Sequence, residues 1–322
     1  MTAHAPATTL GPGPAVLAID VGGTQVKAAL LDEDGRLQGV TRHSTPRSGV
    51  DPGGAVIDAA VELLDAARRA GAPIAALGMT VPGIVDETRG VGVRSTNLGW
   101  QEYPFGELLA ERSGLPSVVV HDVRAAAEAE ARLGAARGID DVAVVTIGTG
   151  IAAALRIGGR AYTGRGYAGE LGHIVVDPSG PPCACGRVGC VEAIGSAAAL
   201  VRRYRERGDH PVNDAADVLR RRQLHDPVAV AVWDSALAAL GAGLAVLTSI
   251  MAPQAIVVGG GLSEAGAVLF DPLRAELDAR CAGLWVPRLL RAELGQDAGT
   301  WGAAILARAT LTPAPTKRNT DA

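Results

Sequence analysis

Short apolar runs that close on a small or acidic residue recur along the chain. Ala15 to Asp20 (AVLAID) reads as a buried strand, and Val26 to Leu31 as a second. Asp32 to Gly35 is an Asp/Gly turn that closes a hairpin, and Arg36 to Thr41 can form a third strand. The period then changes. From Asp51 to Ala70, Val56, Ala60, Leu63, Leu64 and Ala67 fall on one helical stripe, with Asp51 and Pro52 suited to its N-terminus. Ala75 to Val81 and Ser117 to Val120 return to strand, and Val123 to Leu133 is a strong helix. Asp141 to Leu155 is again strand, turn and strand. Arg160 to Gly169 reads as a Gly-rich loop.

Helices dominate afterwards, at about Ser196 to Arg207, Val212 to Arg222 and Pro227 to Ile250. Within the last, Gly241 and Gly243 predict close packing against another backbone. Ala255 to Val258 is one more buried strand, and Asp297 to Ala309 a final amphipathic helix. Cys281 reads as a small buried hydrophobe between them, and His210 and His225 as solvated side chains in polar connections.

Two of the strand–turn–strand units are related. Val21-Gly22-Gly23-Thr24 joins the first pair, and its glycines allow backbone N–H groups to approach phosphate oxygens. Asp20, at the strand end, is placed to act through water on a phosphate-bound Mg²⁺. The same short string is equally a plain Gly-rich hairpin turn. A shift of 126 residues lays Thr146 on Asp20, Gly148 on Gly22 and Gly150 on Thr24, which makes a second copy of the loop.

The composition bounds the class. A chain of 322 residues, 48% hydrophobic and 20% charged, is globular and long enough for two domains with their own cores. A net charge of -4 gives no reason to expect a nucleic-acid partner. No uninterrupted apolar run approaches the roughly 18 residues of a membrane span. The start, MTAHAPATTLGPGP, lacks a basic and then apolar signal pattern, so a cytoplasmic protein is expected. This leader (1–14) and the tail (312–322) both read as loose.

The densest chemistry lies between Gly169 and Glu192. His173, Cys183, Cys185 and Cys190 follow the spacing H-x9-C-x-C-x4-C, with Gly180, Gly186 and Gly189 between them. Three thiolates and an imidazole are a closed donor set for a structural Zn²⁺. Close cysteines also arise as a disulfide fragment or as small buried residues. With four Cys in the chain and no export signal, a disulfide framework is the weaker reading. An ion fixing His173 would fix Glu170 three residues away, and Glu192 flanks the other end.

The string G-E-L-G-H-I followed by C-x-C-G-x-x-G-C-x-E resembles the signature of the ROK family of sugar kinases and repressors. Further pieces are similar from Val16 to Ala309: Pro82 to Asp86 ("PG-x-V-D"), Asn97 to Trp100 ("NLGW") and Val257 to Gly261 ("V-x-G-G-G"). The resemblance implies a duplicated actin-like ATPase (ribonuclease H-like) α/β fold, two lobes around a central cleft. The implied layout is an N-terminal lobe, 15–121, joined by the C-terminal helix 297–311, and a C-terminal lobe, 122–296, holding the zinc loop 173–190.

The resemblance also implies an ATP-dependent kinase acting on a hexose hydroxyl, most simply glucose to glucose 6-phosphate, with Mg²⁺ and structural zinc. Sugar-contacting residues would be Asn97, His121, Asp122, Glu170, His173 and Glu192, with Asp122 as the general base. Nucleotide contacts would come from Asp20, Gly22, Gly23, Thr24, Lys27, Thr146, Gly148, Thr149, Gly150, Gly259, Gly260 and Gly261. Read as residues alone, Asp122 is also a helix N-cap, Asn97 a turn residue, and the triple Gly a structural turn.

One departure stands out. Where most of these kinases have Asn-Asp followed by Ala-Asn-Ala-Ala, this chain has His121-Asp122-Val123-Arg124-Ala125-Ala126. N-acetylmannosamine, fructose or a cyclitol therefore stays open as the acceptor. A sugar-responsive repressor is expected less, because the 19 residues ahead of Asp20 are few and Pro/Gly-rich for a helix-turn-helix domain. The family resemblance implies a homodimer or homotetramer.

Overall fold

A computed structural model describes residues 8–46, 51–95 and 97–312. Residues 1–7 of the expected leader, most of the expected tail, and Thr96 of the Ser95–Trp100 stretch lie outside these residues. The chain divides into two compact units, one of residues 1–129 with 297–322 and one of residues 130–296.

The first unit runs β1 (Val16–Val21), β2 (Gln25–Leu31), β3 (Leu37–Ser44), α1 (Pro52–Arg69), β4 (Ala76–Val81), β5 (Ile84–Asp86), β6 (Val91–Arg94), β7 (Gln101–Tyr103), α2 (Phe105–Ser113), β8 (Ser117–His121) and α3 (Asp122–Leu133). The second runs β9 (Val142–Ile147), β10 (Ile151–Ile157), β11 (Arg160–Tyr162), α4 (Val191–Gly195), α5 (Ala197–Arg205), α6 (Ala215–Gln223), α7 (Pro227–Met251), β12 (Ala255–Gly259), α8 (Ala267–Arg280) and β13 (Arg288–Arg291). Helix α9 (Ala298–Ala309) returns to the first unit.

The two main sheets have one design. Their orders are β3-β2-β1-β4-β8 and β11-β10-β9-β12-β13. In each, the first three strands are antiparallel and the inner strand continues into parallel neighbours. Asp20 pairs with Thr80 across β1 and β4, and Thr146 pairs with Gly259 at the same place across β9 and β12. This is the duplicated, actin-like arrangement.

The register corrects the expected alignment. Val21 faces Val26 in the first hairpin, whereas Ile147 faces Ile151 in the second, so the second loop is one residue shorter. Gly22 N–H bonds Gln25 O at 2.8 Å, and Gly148 N–H bonds Gly150 O at 2.9 Å. Gly148 therefore matches Gly22, but Gly150 takes the place of Gln25 rather than Thr24. Loops absorb such deletions because no ladder bond is lost.

Capping chemistry sets the helix starts. Asp51 caps α1 through Gly54 N–H at 2.8 Å, with Pro52 next and Val56, Ile57, Ala60 and Leu64 buried. Asp214 accepts from Asp217 N–H at 2.8 Å, so α6 begins at Ala215 and not at Val212. Ser196 likewise caps α5, which ends at Arg205 rather than Arg207. Arg160 to Tyr162, expected as loop, is the edge strand β11. The small sheet β5-β6-β7 and helix α2 have no clear sequence period, because a few residues each suffice to cover Trp100 and Phe105.

Among the described residues one helix, α7, is long and apolar enough to cross a membrane by length and composition alone. Its Val232, Trp233, Leu240 and Leu244 lie in the core of the second unit, each such burial contributing roughly 1.5–3 kcal/mol. Its glycines meet side chains instead of the expected backbone: a Cβ on Gly241 would meet Glu276, and one on Gly243 would meet Val191. Cys281 is buried, at the C-cap of α8, and His210 and His225 are exposed.

Helix α9 is pressed between β4 and α3. A Cβ on Gly78 would collide with Ala303 O, and one on Gly302 with Ala125 O. This contact keeps the first turns of α3 with the first unit, so the division falls after Ala129 and not before Asp122. Gly302→Ala is expected to lower stability by about 1–3 kcal/mol, because overpacking outweighs the roughly 1 kcal/mol that alanine gains in a helix. Thermal melting checks it; an unchanged or higher melting temperature would mean α9 shifts freely.

Candidate active site and metal centre

In the first unit, the ends of three strands carry the chemistry. Asp20 lies at the end of β1 and accepts the Thr80 hydroxyl at 2.6 Å. Burial raises its carboxyl above the usual range; the Thr80 bond opposes this, Asp122 adds to it, Lys27 opposes it and Asp297 adds again. Crowded carboxylates of this kind are relieved by a cation, and the donor type suits Mg²⁺. Asp297, just ahead of α9, had no signal in the sequence beyond starting a helix.

Gly22, Gly23 and Thr24 form the β1–β2 loop. Its shape is held by Gly22 N–H on Gln25 O and by the Thr45 hydroxyl on Gly22 O at 2.6 Å. Lys27 pairs with Asp20 across the hairpin. Asn97 is exposed at the tip of a loop that closes by Ser95 N–H on Trp100 O. Trp100 is core, edge-on to Phe105 with centroids 5.0 Å apart.

Asp122 is the first residue of α3, and its Oδ1 accepts the Val123 N–H at 2.7 Å. Burial pushes its carboxyl up to about 6, against the lowering effects of that N–H and of Arg124. The imidazole of His121 is buried, with Nε2 3.2 Å from Asp122 Oδ1. It therefore faces the carboxylate as well as any ligand.

In the second unit, Gly148, Thr149 and Gly150 form the β9–β10 loop. Glu192, on α4, reaches it: Oε2 accepts the Ile151 N–H at 2.7 Å, and a Cβ on Gly150 would stand 2.6 Å from that oxygen. The family resemblance implied a sugar role only for Glu192; its bond ties α4, which follows the Cys/His segment, to the β9–β10 loop. Beside Thr149 lies a cavity of about 590 Å³ lined also by Ala197, Ala198, Val201, Arg202 and Asp214, which nothing in the sequence had marked. Gly260 has φ +81 and sits against Ile147 O, a structural requirement, while Gly261 faces open space.

His173, Cys183, Cys185 and Cys190 present donor atoms all within 4.8 Å of one another. His173 Nδ1 is 3.6 Å from Cys183 Sγ, and Cys185 Sγ is 3.7 Å from Cys190 Sγ. Tetrahedral bonds of about 2.3 Å to sulfur and about 2.1 Å to nitrogen would put donors about 3.6–3.8 Å apart. The set fits. Gly186 and Gly189 have φ +89 and +71, and a Cβ on Gly189 would strike Asp177 O. Burial pushes Cys190 up to about 12 and raises Cys183. Burial also works against the Cys185 thiolate, yet the Arg187 N–H and neighbouring donors outweigh it and bring Cys185 to about 6. With Nδ1 on the sulfur cluster, His173 turns Nε2 to Glu170, 3.8 Å from Oε2.

Comparison with known proteins places this geometry. The ROK family pattern matches residues 16–310. A glucokinase of Streptomyces coelicolor is 35% identical over 315 residues, covering 91% of this chain and 97% of that one. An N-acetylmannosamine kinase of Salmonella arizonae is 35% identical over 297 residues, covering 91% and 98%. The crystal structure of a ROK family glucokinase from Streptomyces griseus, in complex with glucose and AMPPNP, superposes with a TM-score of 0.79 at 35% identity, covering 92% and 99%. The chain belongs to the ROK family.

Proposed function

We propose that the protein is an ATP-dependent sugar kinase that phosphorylates glucose to glucose 6-phosphate, with Asp122 as general base. The observation that carries this reading is the placement of Asp122 at the junction of β8 and α3, with His121 Nε2 3.2 Å from its Oδ1 and burial raising the carboxyl to about 6. A base with that affinity takes a proton from a sugar hydroxyl as it attacks the γ-phosphorus, yet is ionised at neutral pH. The glucokinase relatives and the structure solved with glucose and AMPPNP support the reaction, ATP-dependent phosphorylation of glucose.

The remaining roles follow from donor chemistry. Asn97, Glu170, His173 Nε2 and Glu192 would bond sugar hydroxyls, for which carboxylates are strong acceptors. His121 would act beside Asp122. The amides of Gly22, Gly23 and Thr24, with Lys27, and those of Gly148, Thr149 and Gly150 would meet phosphate oxygens. Asp20 and Thr146 occupy matching strand ends, and Asp20 would hold Mg²⁺, which neutralises charge on the phosphates. The cavity beside Thr149 would take the nucleoside, with Gly261 at the open end of the triple Gly. Zn²⁺ on His173, Cys183, Cys185 and Cys190 would be structural, fixing the orientation of Glu170 and Glu192.

N-acetylmannosamine is the second reading, because the kinase named for it is as similar to this chain as the glucokinase. ADP release with Mg²⁺–ATP across glucose, N-acetylmannosamine, fructose and cyclitols separates the two. We expect glucose to give the highest kcat/KM; a higher value for the N-acetyl sugar would replace it as substrate.

A further inference from the structure

Beneath Asp122 lies a group of side chains that the roles above do not use. Glu87, after β5, directs Oε1 at two donors, the His121 backbone N–H at 3.0 Å and the Arg124 Nε–H at 2.5 Å. Arg124 Nη2 donates to Val85 O at 2.9 Å. The Arg124 side chain is 5% exposed and that of Glu87 20%. One carboxylate thus laces together the end of β5, the end of β8 and the first turn of α3.

Local physics does not favour this arrangement. A cation in the first turn of a helix meets the positive end of the helix dipole. A buried ion pair commonly recovers little more than its desolvation cost. What the arrangement does achieve is directional. Glu87 fixes the backbone at His121, immediately before the base, and neutralises Arg124 from one side. Arg124, two residues beyond Asp122, is the positive charge acting on that carboxylate.

The charged groups facing Asp122 come from several elements. Asp20 on β1 is a like charge, His121 on β8 an imidazole, and Arg124 on α3 a cation, with Glu87 behind Arg124. Asp20 has Lys27 and Asp297 as its own further neighbours.

We propose that Glu87 and Arg124 are positioning residues for the phosphoryl transfer: Glu87 fixes the His121–Asp122 backbone through the His121 N–H, and Arg124, tied to Glu87 and to Val85 O, fixes the first turn of α3 with its positive charge two residues beyond Asp122. This rests on the reading of Asp122 as base. It is specific to this chain in that His121 and Arg124 both depart from the Asn-Asp-Ala-Asn pattern, and Glu87 contacts both.

The test compares Glu87→Gln and Arg124→Gln by pH profiles of kcat/KM with the best sugar. Both variants are expected to lose about 10- to 100-fold in kcat, with sugar and ATP KM changed by less than about threefold. The acid limbs should move in opposite directions, by about one pH unit each. Removing the Arg124 cation destabilises the Asp122 anion and moves the limb up. Removing the Glu87 charge leaves Arg124 uncompensated and moves it down. A merely structural role would not produce opposite shifts. If Arg124→Gln does not fold, Arg124→Lys serves: the retained charge keeps the limb in place while kcat falls, because the fork to Glu87 and Val85 is lost. Limbs that stay in place or move together in the two Gln variants overturn the proposal, as does an Arg124→Lys variant of unchanged kcat. Turnover that survives Asp122→Asn overturns the base assignment instead, a result read before either positioning variant is made.

Discussion

Asp122→Asn should turn over at about a hundredth of the wild-type rate or less, while melting at the same temperature or higher. The first half follows from the loss of the group that accepts the hydroxyl proton, an effect of about 10²- to 10⁴-fold in general-base catalysis. The second half follows from the sign of the Asp122 shift. Its carboxyl is raised from the ordinary 3.8 to about 6, chiefly by burial. A raised carboxyl stabilises the fold while protonated, fully below the unfolded value, and that contribution is lost as pH rises through about 6. At neutral pH the half-buried anion is therefore a cost to the fold, which the neutral amide removes.

The same value sets the pH dependence of the wild type. The kcat/KM for sugar should be flat near neutrality and fall about tenfold per unit below about pH 6, as Asp122 takes up its proton. Steady-state rates from pH 5 to 8, melting curves and sugar titration of the variant together check the prediction. Retention of about a tenth of wild-type turnover by the Asn variant, with normal sugar binding, would rule Asp122 out as the base.

The second large effect concerns the Cys₃His centre. Purified protein should carry one zinc per chain, and both chelation and Cys190→Ser should lower the melting temperature and weaken sugar binding by about 10- to 100-fold or more. The physical route is short. His173 holds Nδ1 toward Cys183 and Nε2 toward Glu170, and Cys190 immediately precedes α4, which carries Glu192 to the Ile151 amide. Without the ion, both carboxylates lose the anchor that orients them. Metal content by dye release and sugar affinity by calorimetry, before and after zinc is returned, decide the matter. Metal-free protein with unchanged sugar affinity would show that the centre does not shape the pocket.

Much of this was legible along the chain. Short buried apolar runs gave the strands, Asp51 and Ser196 marked helix starts, and the Cys/His spacing identified a donor set that the structure draws within 4.8 Å. These are local properties, in which neighbours in sequence decide backbone conformation or bring ligands within reach. The repeated strand–loop–strand was also visible, because each copy carries its own glycines and flanking apolar strands.

What the chain alone left undecided depends on partners far apart in sequence. The one-residue deletion in the β9–β10 loop emerged only from cross-strand register, which spacing cannot give when a loop absorbs the difference. Gly241 and Gly243 signalled close packing, but only the fold showed that Glu276 and Val191 fill the space. Glu87 carries no motif, Arg124 stands out only as a departure from one, and 37 residues separate them. The sequence determined most of the strands and long helices, the Cys/His donor set and the acidic residue that follows β8. The tertiary structure decided which buried charges meet, because desolvation and contact depend on packing rather than on order along the chain.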